Sequence, residues 1–507
     1  HAYHLWQTEC PRYLMGDFAF VIWDAAASRL FCARDRFGIR PLYYATTGST
    51  LLVGNTLSAI RQFPGVAQEL DKLAIADYLL FGYFNDLAMT AYTSIRRLPP
   101  AHVLNWKAGE MTTARYWSLP KETPLRYRRA GEYVAHFNEL FFAAVSDRLR
   151  TDRFAVTMSG GLDSTAVAAV AAAQLRQGPQ ADQIHAFTNS YQSLMPDDET
   201  YFARIAAEFL NIPLHGRDVG GYTLFDRWGQ LDLRASEPGD RSLAAWAYDQ
   251  EQELASCARV TLTGLGGDPL LYPEPGYLYA LLGQRRLADL RFALQLSWQT
   301  KRFPPLYLRS WLRWRFGQRD SGPPAPQLPR WLDPAFVTAY ELASRWRAHQ
   351  AARPRAHPRR PQLVATLEDP FWPFFLESYD PEHHFFAHEM RHPFFDLRLV
   401  TFMLRLPPVP WCVDKHLLRL AMRDYLPEEV RLRPKTPLAA HPRHAISPDA
   451  GAAVIDHLAN SAESVREFGN LQDTLDIIRH DDQANVSEYQ ASLRFIGLAT
   501  WLDGNQR

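Results

Sequence analysis

Phe154-Ala-Val-Thr-Met-Ser-Gly-Gly-Leu-Asp-Ser-Thr165 passes from an apolar run through a glycine turn into a helix-forming segment. Phe154 to Met158 are apolar or β-favouring and predict a buried strand. The alanine-rich run from Ala166 to Ala173, ending near Gly178, predicts a helix. A strand that turns tightly into a helix leaves the first helical N–H groups unpaired, and these suit an anion. Gly160 and Gly161 carry no Cβ, so an anion can approach their backbone closely. Ser159, Ser164 and Thr165 add hydroxyl donors. Asp163 would repel a phosphate unless a divalent cation lay between them, and Mg²⁺ held by carboxylates and phosphate oxygens fills that role. An ordinary glycine-rich turn is the plainer alternative. Ser-Gly-Gly-x-Asp-Ser also lacks the Gly-Lys-Ser/Thr ending of a Walker loop.

Downstream, Ile184-His-Ala-Phe-Thr188 predicts a second strand. Phe202, Ile205, Ala206 and Phe209 then follow at helical spacing. Asp197-Asp-Glu199 would lie at that helix's N-terminus, where the dipole favours acids, which is role enough for Asp197 and Asp198. A third strand near Leu214-His215 closes another β–α–β unit. Arg259-Val-Thr-Leu-Thr263 predicts a further strand, and it ends in Gly264-Leu-Gly-Gly-Asp268. This alternation predicts a parallel, doubly wound sheet whose ligands collect at the carboxyl ends of the strands. Both glycine turns then share one edge, where Asp163 and Asp268 are expected to converge on one metal-bound polyphosphate. Alone, Asp268 would be a turn residue.

The chain has 507 residues, enough for two or three domains. Its 47% hydrophobic content, with 14 Trp, 22 Tyr and 29 Phe, supports a large core and excludes global disorder. Lys+Arg and Asp+Glu both number 55, so no basic footprint points to nucleic acid. Cys10, Cys32, Cys257 and Cys412 are scattered without Cys-x-x-Cys spacing, which indicates neither a zinc site nor a disulfide framework. No signal peptide or membrane-spanning apolar run is evident, so a cytoplasmic location is expected. The sequence starts at His1 rather than Met and reads there as mid-domain sequence, so residues upstream are an expectation.

Before the glycine turn, Phe18–Trp23, Leu30–Ala33, Pro41–Tyr44 and Leu51–Val53 predict strands joined by hairpins. A helix from Asp71 (Ile75, Leu79, Leu80) leads to a second hairpin around Leu98-Pro-Pro100 and Gly109. Residues 1–119 thus form an antiparallel, β-rich domain without an evident catalytic cluster. Residues 120–129 are polar and proline-bearing, a linker. Residues 130–507 form the α/β domain with extra helices, beginning with one that aligns Tyr133, Phe137, Leu140, Phe141 and Val145. Residues 353–361 are basic and proline-rich, either a solvated loop or a dock for an acidic or extended peptide. Glu389-Met-Arg-His-Pro-Phe-Phe-Asp396 precedes an apolar helix (Leu399, Val400, Phe402, Met403), and Lys415 to Arg423 predict another. In Arg433-Pro-Lys-Thr-Pro-Leu438, prolines flank Lys435 and limit where its ammonium can go. It is either a phosphate ligand or a surface lysine.

The Ser159–Ser164 turn resembles the pyrophosphate loop of the ATP pyrophosphatases, which cleave ATP to AMP and pyrophosphate. Gly16-Asp-Phe-Ala-Phe20 and Arg34-Asp-Arg-Phe-Gly-Ile-Arg-Pro-Leu-Tyr43 resemble the second half of a class II glutamine amidotransferase domain, the Ntn-type form found in asparagine synthetases. The cysteine and Asn-Gly-Glu segment of that domain are not found in this numbering, so a structural or degenerate amidotransferase fold is expected. Together with Gly-x-Gly-Gly-Asp, Glu-x-Arg-x-Pro-Phe-x-Asp and Arg-Pro-Lys, the resemblance to the asparagine synthetase superfamily spans about residues 14 to 440. It implies an ATP site at Thr157, Met158, Ser159, Gly160, Gly161, Asp163 and Ser164, with Thr188, Thr263, Gly264 and Gly267. It also implies Mg²⁺ on Asp163 and Asp268, and Lys435 on the phosphates.

Asparagine synthetases carry a glutamate where this chain has Leu265, and leucine can neither accept nor donate a proton. The pattern is more similar to the lasso-peptide cyclases, which end in a similar Arg-Pro-Lys-Thr-Pro-Leu segment. That resemblance implies adenylation of an Asp or Glu side chain in a precursor peptide and closure of a macrolactam by the peptide's N-terminal amine. It also implies a leader peptidase and a leader-binding protein as partners. Glu389 is either the acceptor of the amine proton or half of an ion pair with Arg391 or another arginine. Rival readings are an asparagine or β-lactam synthetase, a tRNA- or nucleotide-modifying ATP pyrophosphatase, and a non-catalytic ATP-binding scaffold.

Overall fold

The structure, a computed structural model, describes residues 1–506 apart from 122, 176–182, 228–234, 304–325, 352–356, 358, 381–385, 435–457, 459–461 and 481–485. Strands β1 (Ala19–Asp24), β2 (Arg29–Arg34), β3 (Tyr43–Thr47), β4 (Thr50–Gly54), β5 (Ile95–Arg97), β6 (His102–Lys107) and β7 (Glu110–Arg115) build the first domain. They form two antiparallel sheets, ordered β1-β2-β6-β7 and β4-β3-β5. Ala108 (φ 53°) and Gly109 (φ 84°) turn β6 into β7, both in the left-handed region that a tight hairpin requires. Of the second hairpin expected around Leu98-Pro-Pro100 and Gly109, the turn at Gly109 is this one, whereas Leu98–Pro100 is a crossing from β5 in one sheet to β6 in the other. Pro99 and Pro100 have no N–H with which to continue a ladder. Helix α1 (Lys72–Phe81) starts where Asp71 accepts from the N–H groups of Leu73 and Ala74 at 3.0 and 3.1 Å.

The described residues of 120–129 contain no helix or strand, and the second domain opens with α2 (Ala130–Ser146). Tyr133, Phe137, Phe141 and Val145 are buried on one face of α2, and Leu140 packs at its edge. Next come β8 (Phe154–Thr157), α3 (Leu162–Leu175), β9 (Ile184–Ser190), α4 (Glu199–Leu210), β10 (Leu214–Asp218), α5 (Ala244–Cys257), β11 (Val260–Leu262) and β12 (Glu389–Arg391). The sheet is wholly parallel, in the order β10-β9-β8-β11-β12. The chain steps outward from β8 to β9 and β10, then returns to place β11 on the other flank of β8. The order therefore reverses between β8 and β11, and a crevice opens at such a reversal, beyond the carboxyl ends of the strands.

Of the stripe read from Phe202, Ile205, Ala206 and Phe209, Ala206 is buried and Phe202 and Ile205 pack at the edge of the core, while Phe209 is 52% exposed. Ala203, Ala207 and Leu210 complete the buried face. Small residues are needed there because α4 lies directly against the first glycine turn. The apolar helix after β12 is α6 (Leu397–Arg405), with Leu399, Val400, Phe402 and Met403 buried. Helix α7 covers only His416–Ala421, not Lys415 to Arg423 as expected. The helices α8 (Leu471–His480) and α9 (Val486–Gln506) close the chain. The main core joins α2, α3 and α6 to the parallel sheet. A second core mixes Tyr43, Ile75 and Tyr78 of the first domain with Trp331, Phe495 and Trp501.

Candidate functional site

The first glycine turn is built as a close-packed loop. Gly160 has φ +69°, and a Cβ there would lie 2.3 Å from the Glu199 carbonyl oxygen. Only glycine allows the loop and α4 to approach so closely. Met158 is buried and its N–H donates to the Phe187 carbonyl at 2.7 Å. The hydroxyls of Ser159 and Ser164 lie 3.3 Å apart, and the Ser159 N–H donates to the Ser164 hydroxyl at 3.2 Å. Thr165 donates to the Gly161 carbonyl at 2.7 Å, which starts α3. Thr157 ties β8 to β11 through a 3.5 Å hydrogen bond from its hydroxyl to the Leu262 carbonyl.

The second turn nests into the first. A Cβ on Gly264 would lie 2.6 Å from the Ser164 nitrogen, and one on Gly267 would lie 2.4 Å from Asp163 Cγ. Both glycines are thus demanded by contact between the two turns, and this contact brings Asp163 and Asp268 together. Lys415 Nζ lies 2.5 Å from Asp163 Oδ2 and 2.6 Å from Asp268 Oδ1. Burial alone would lower the Lys415 pKa, but the two carboxylates outweigh it and hold the ammonium above its ordinary value. The Asp268 side chain is 58% exposed and marks the open side of the cluster. Two carboxylates facing one cation are the donor set that Mg²⁺ takes, so Asp163 and Asp268 fit that ion.

Lys415 was not singled out in the sequence, where it marks only the start of a helix. It is in fact the residue before α7, in the left-handed region (φ 54°), and Asp414 before it is also left-handed (φ 47°). Two consecutive non-glycine residues in that region are costly and occur where the surroundings fix them. A cation at a helix N-terminus also opposes the dipole, and that was the one sequence clue to a separate duty. Arg419, one turn later, donates to the carbonyls of Arg431 and Arg433, the latter at 2.9 Å. Arg433 in turn donates to the Gly160 carbonyl at 3.3 Å and stacks over Phe202 at 4.3 Å. The Arg433-Pro434 part of the Arg-Pro-Lys motif therefore touches the first turn. Lys435 lies outside the described residues.

Thr188 is buried at the carboxyl end of β9. The Thr263 hydroxyl pairs with His392 Nδ1 at 2.7 Å and accepts from the Leu265 N–H at 3.3 Å. Leu265 itself packs against the main core. Asp197 caps the approach to α4, accepting from the N–H groups of Glu199 at 2.7 Å and Tyr191 at 3.0 Å. This is the capping role open to it from the sequence.

Glu389 is placed away from the turns. It pairs in register with Val260, which pairs with Phe154, so it stands at the amino end of the sheet. Its carboxylate accepts from Arg391 at 3.0 and 3.2 Å and from Arg40 of the first domain. Burial opposes its ionisation, yet the two guanidiniums hold its pKa below the ordinary value. A carboxylate so paired is a weak proton acceptor. Of its two roles, the geometry matches the ion pair.

Residues 136–503 match the asparagine synthase family, and residues 1–117 match the glutamine amidotransferase domain. Over 466 residues the chain is 25% identical to asparagine synthetase (glutamine-hydrolyzing) 3 of Bacillus subtilis, covering 86% of this chain and 69% of that protein. It is 30% identical over 215 residues to the amidase chyE of Penicillium rubens, covering 40% of this chain and 31% of that protein. It is also 30% identical over 214 residues to asparagine synthetase (glutamine-hydrolyzing) 2 of B. subtilis, covering 40% of this chain and 28% of that protein. With both glycine turns and the Arg433 contact inside the longer match, the chain belongs to the asparagine synthase family.

Proposed function

We propose that this protein is an ATP-dependent, AMP-forming carbon–nitrogen ligase that closes a macrolactam ring in a precursor peptide. The observation that carries the ligase reading is the convergence of Asp163, Asp268 and Lys415 at the point where the strand order reverses. Membership of the asparagine synthase family supports the ATP-dependent amide chemistry. A side-chain carboxylate oxygen of the peptide attacks the α-phosphorus of ATP, and pyrophosphate leaves. The peptide's N-terminal amine then attacks the acyl carbon, AMP leaves, and the amine gives up its proton. Mg²⁺ held by Asp163 and Asp268 would neutralise phosphate charge when bound.

The chain's own groups do the rest. The Ser159–Ser164 turn offers hydroxyls and helix-terminal N–H groups to the phosphates. Lys415 supplies a fixed positive charge where negative charge builds up on the departing pyrophosphate. Holding amine and acyl carbon together contributes about 7–11 kcal/mol in favourable cases. Leu265 favours the peptide reading over asparagine synthesis, because it places an apolar side chain where the synthetases have an acid. A leader peptidase and a leader-binding protein would be partners under this reading, in a cytoplasmic setting.

ATP–pyrophosphate exchange tests the proposal. Exchange should depend on an internal Asp or Glu in the peptide, and a peptide that also has a free N-terminus should give a product that has lost one water. Asp163→Asn and Asp268→Asn should each lower exchange by about 10²–10³-fold. Exchange with free aspartate, yielding asparagine from ammonia or glutamine, would overturn the cyclase reading. Absence of exchange with every carboxylate offered would overturn the ligase reading.

A further inference from the structure

His185, His215 and Cys257 stand far apart in the sequence, and neither histidine is near a Cys-x-x-Cys or His-x-x-x-His pattern. The fold nevertheless brings one ligand atom of each to within 4.8 Å of the others. His185 lies on β9 and His215 on β10. His215 pairs in register with Phe187, two residues beyond His185, so both histidines project from one face of the sheet. His185 Nδ1 and His215 Nε2 face each other at 3.0 Å. The Phe187 ring stacks on His215 at 4.6 Å and fixes its plane. Cys257 is the last residue of α5, the helix that covers this face.

We infer that these three side chains form a binding site for a zinc-class divalent ion, separate from the nucleotide site and joining β9, β10 and the end of α5. Imidazole nitrogens with a thiolate are the ligands such ions select, whereas Mg²⁺ prefers oxygen. In a tetrahedral site with Zn–N distances of about 2.0–2.1 Å the two nitrogens stand roughly 3.3 Å apart, so the rings need move only a few tenths of an ångström. A water would complete the coordination. Cys10, Cys32 and Cys412 are buried, and Cys257 is the partly exposed cysteine, so an ion can reach it without the fold opening. The cluster is also remote from the chemistry. His185 pairs with Ala155, the second residue of β8, towards the amino ends of the strands, whereas both glycine turns follow the carboxyl ends. The absence of local ligand spacing suggested no zinc site, because spacing rules detect ligands that are neighbours in sequence. Here the ligands are neighbours only across the sheet.

The alternative is a histidine–histidine hydrogen bond beside a bystander thiol, and metal binding separates the two. The full chain is dialysed against Zn²⁺ and then against metal-free buffer, and retained metal is measured. Co²⁺ loading is followed in parallel by thiolate-to-metal absorption. One ion per chain and a cobalt–thiolate band are expected, with Zn²⁺ protecting Cys257 from a thiol reagent. Cys257→Ser and His215→Asn should each weaken retention by at least about 10-fold and leave ATP–pyrophosphate exchange unchanged. Thiol protection in the unmodified protein reads the same site without any variant that could misfold. No retained ion, or equal retention by the unmodified protein and Cys257→Ser, would overturn the site while leaving the ligase reading untouched.

Discussion

Lys415 holds together two carboxylates that would otherwise repel each other. Its ammonium is within 2.6 Å of both Asp163 and Asp268, and the left-handed backbone at Asp414 and Lys415 aims it there. Lys415→Met keeps the length of the side chain and removes the charge. Activity should fall by about 10²–10³-fold, the usual cost of deleting a preorganised charge from an active site. The same variant leaves two facing acids without their cation. Added Mg²⁺ without ATP should therefore raise the melting temperature of Lys415→Met more than that of the unmodified protein. Thermal scans with and without Mg²⁺ check this, and equal shifts would show that Mg²⁺ does not take the place that Lys415 leaves.

Among the elements, the two glycine turns are separable by what their missing Cβ atoms would strike. At Gly160 the obstacle is backbone of α4, the Glu199 carbonyl at 2.3 Å, and φ is +69° as well. Gly160→Ala should destabilise the fold by more than about 1 kcal/mol, because neither the strain nor the clash can relax locally. At Gly267 the obstacle is the Asp163 side chain, with Cγ at 2.4 Å and Cβ at 2.8 Å, and no positive φ is involved. Rotation of Asp163 clears its carboxylate and leaves only the Cβ contact, whereas the nearest atoms at Gly160 are all backbone. Gly267→Ala should then displace Asp163, lowering exchange activity while changing the melting temperature less than Gly160→Ala does. Activity assays beside thermal melts distinguish them. Both turns were legible in the sequence because two strands of one β–α alternation each end in glycines and an aspartate, a pairing that neither turn would carry alone. The face of α4 was legible only in part: Phe202, Ile205 and Ala206 pack on the core as read, but Phe209 does not, and contact with the Gly160 turn sets Ala203 and Ala207 inward.

Across the whole molecule, the segment Arg34–Arg40 docks the first domain onto the second. Arg34 pairs with Glu377, which also meets Arg97 at 2.8 Å, and Arg97 meets Glu237 at 2.5 Å. Arg40 pairs with Glu389 and lies 3.5 Å from Asp380. His392 is buried at this junction, and burial, with Arg148 and Arg40 adding to it, lowers its pKa to about 3. The unfolded chain therefore takes up a proton at this position as pH falls below about 6.5, while the folded chain does not until about 3. Stability contributed by neutral His392 is lost progressively through that window as acid is added. Asp35, raised to about 6 mainly by burial, has the opposite slope, and so cannot supply this loss. His392→Asn should flatten the fall in stability between about pH 6.5 and pH 5, as read from urea midpoints. His357 and His416, held at about 4 mainly by burial, act in the same direction, so an unchanged slope would remove His392 from the contributors and leave those two.

Chain order and local composition determined the α/β class, the antiparallel domain ahead of it, and the two glycine turns, because strand period, helix period and turn chemistry act over a few residues at a time. Tertiary structure alone decided that Lys415 sits between Asp163 and Asp268, that Glu389 belongs to an interdomain ion pair, and that His185, His215 and Cys257 meet. Charge pairing and ligand convergence depend on distances across the sheet and between domains, and sequence separation carries no measure of them.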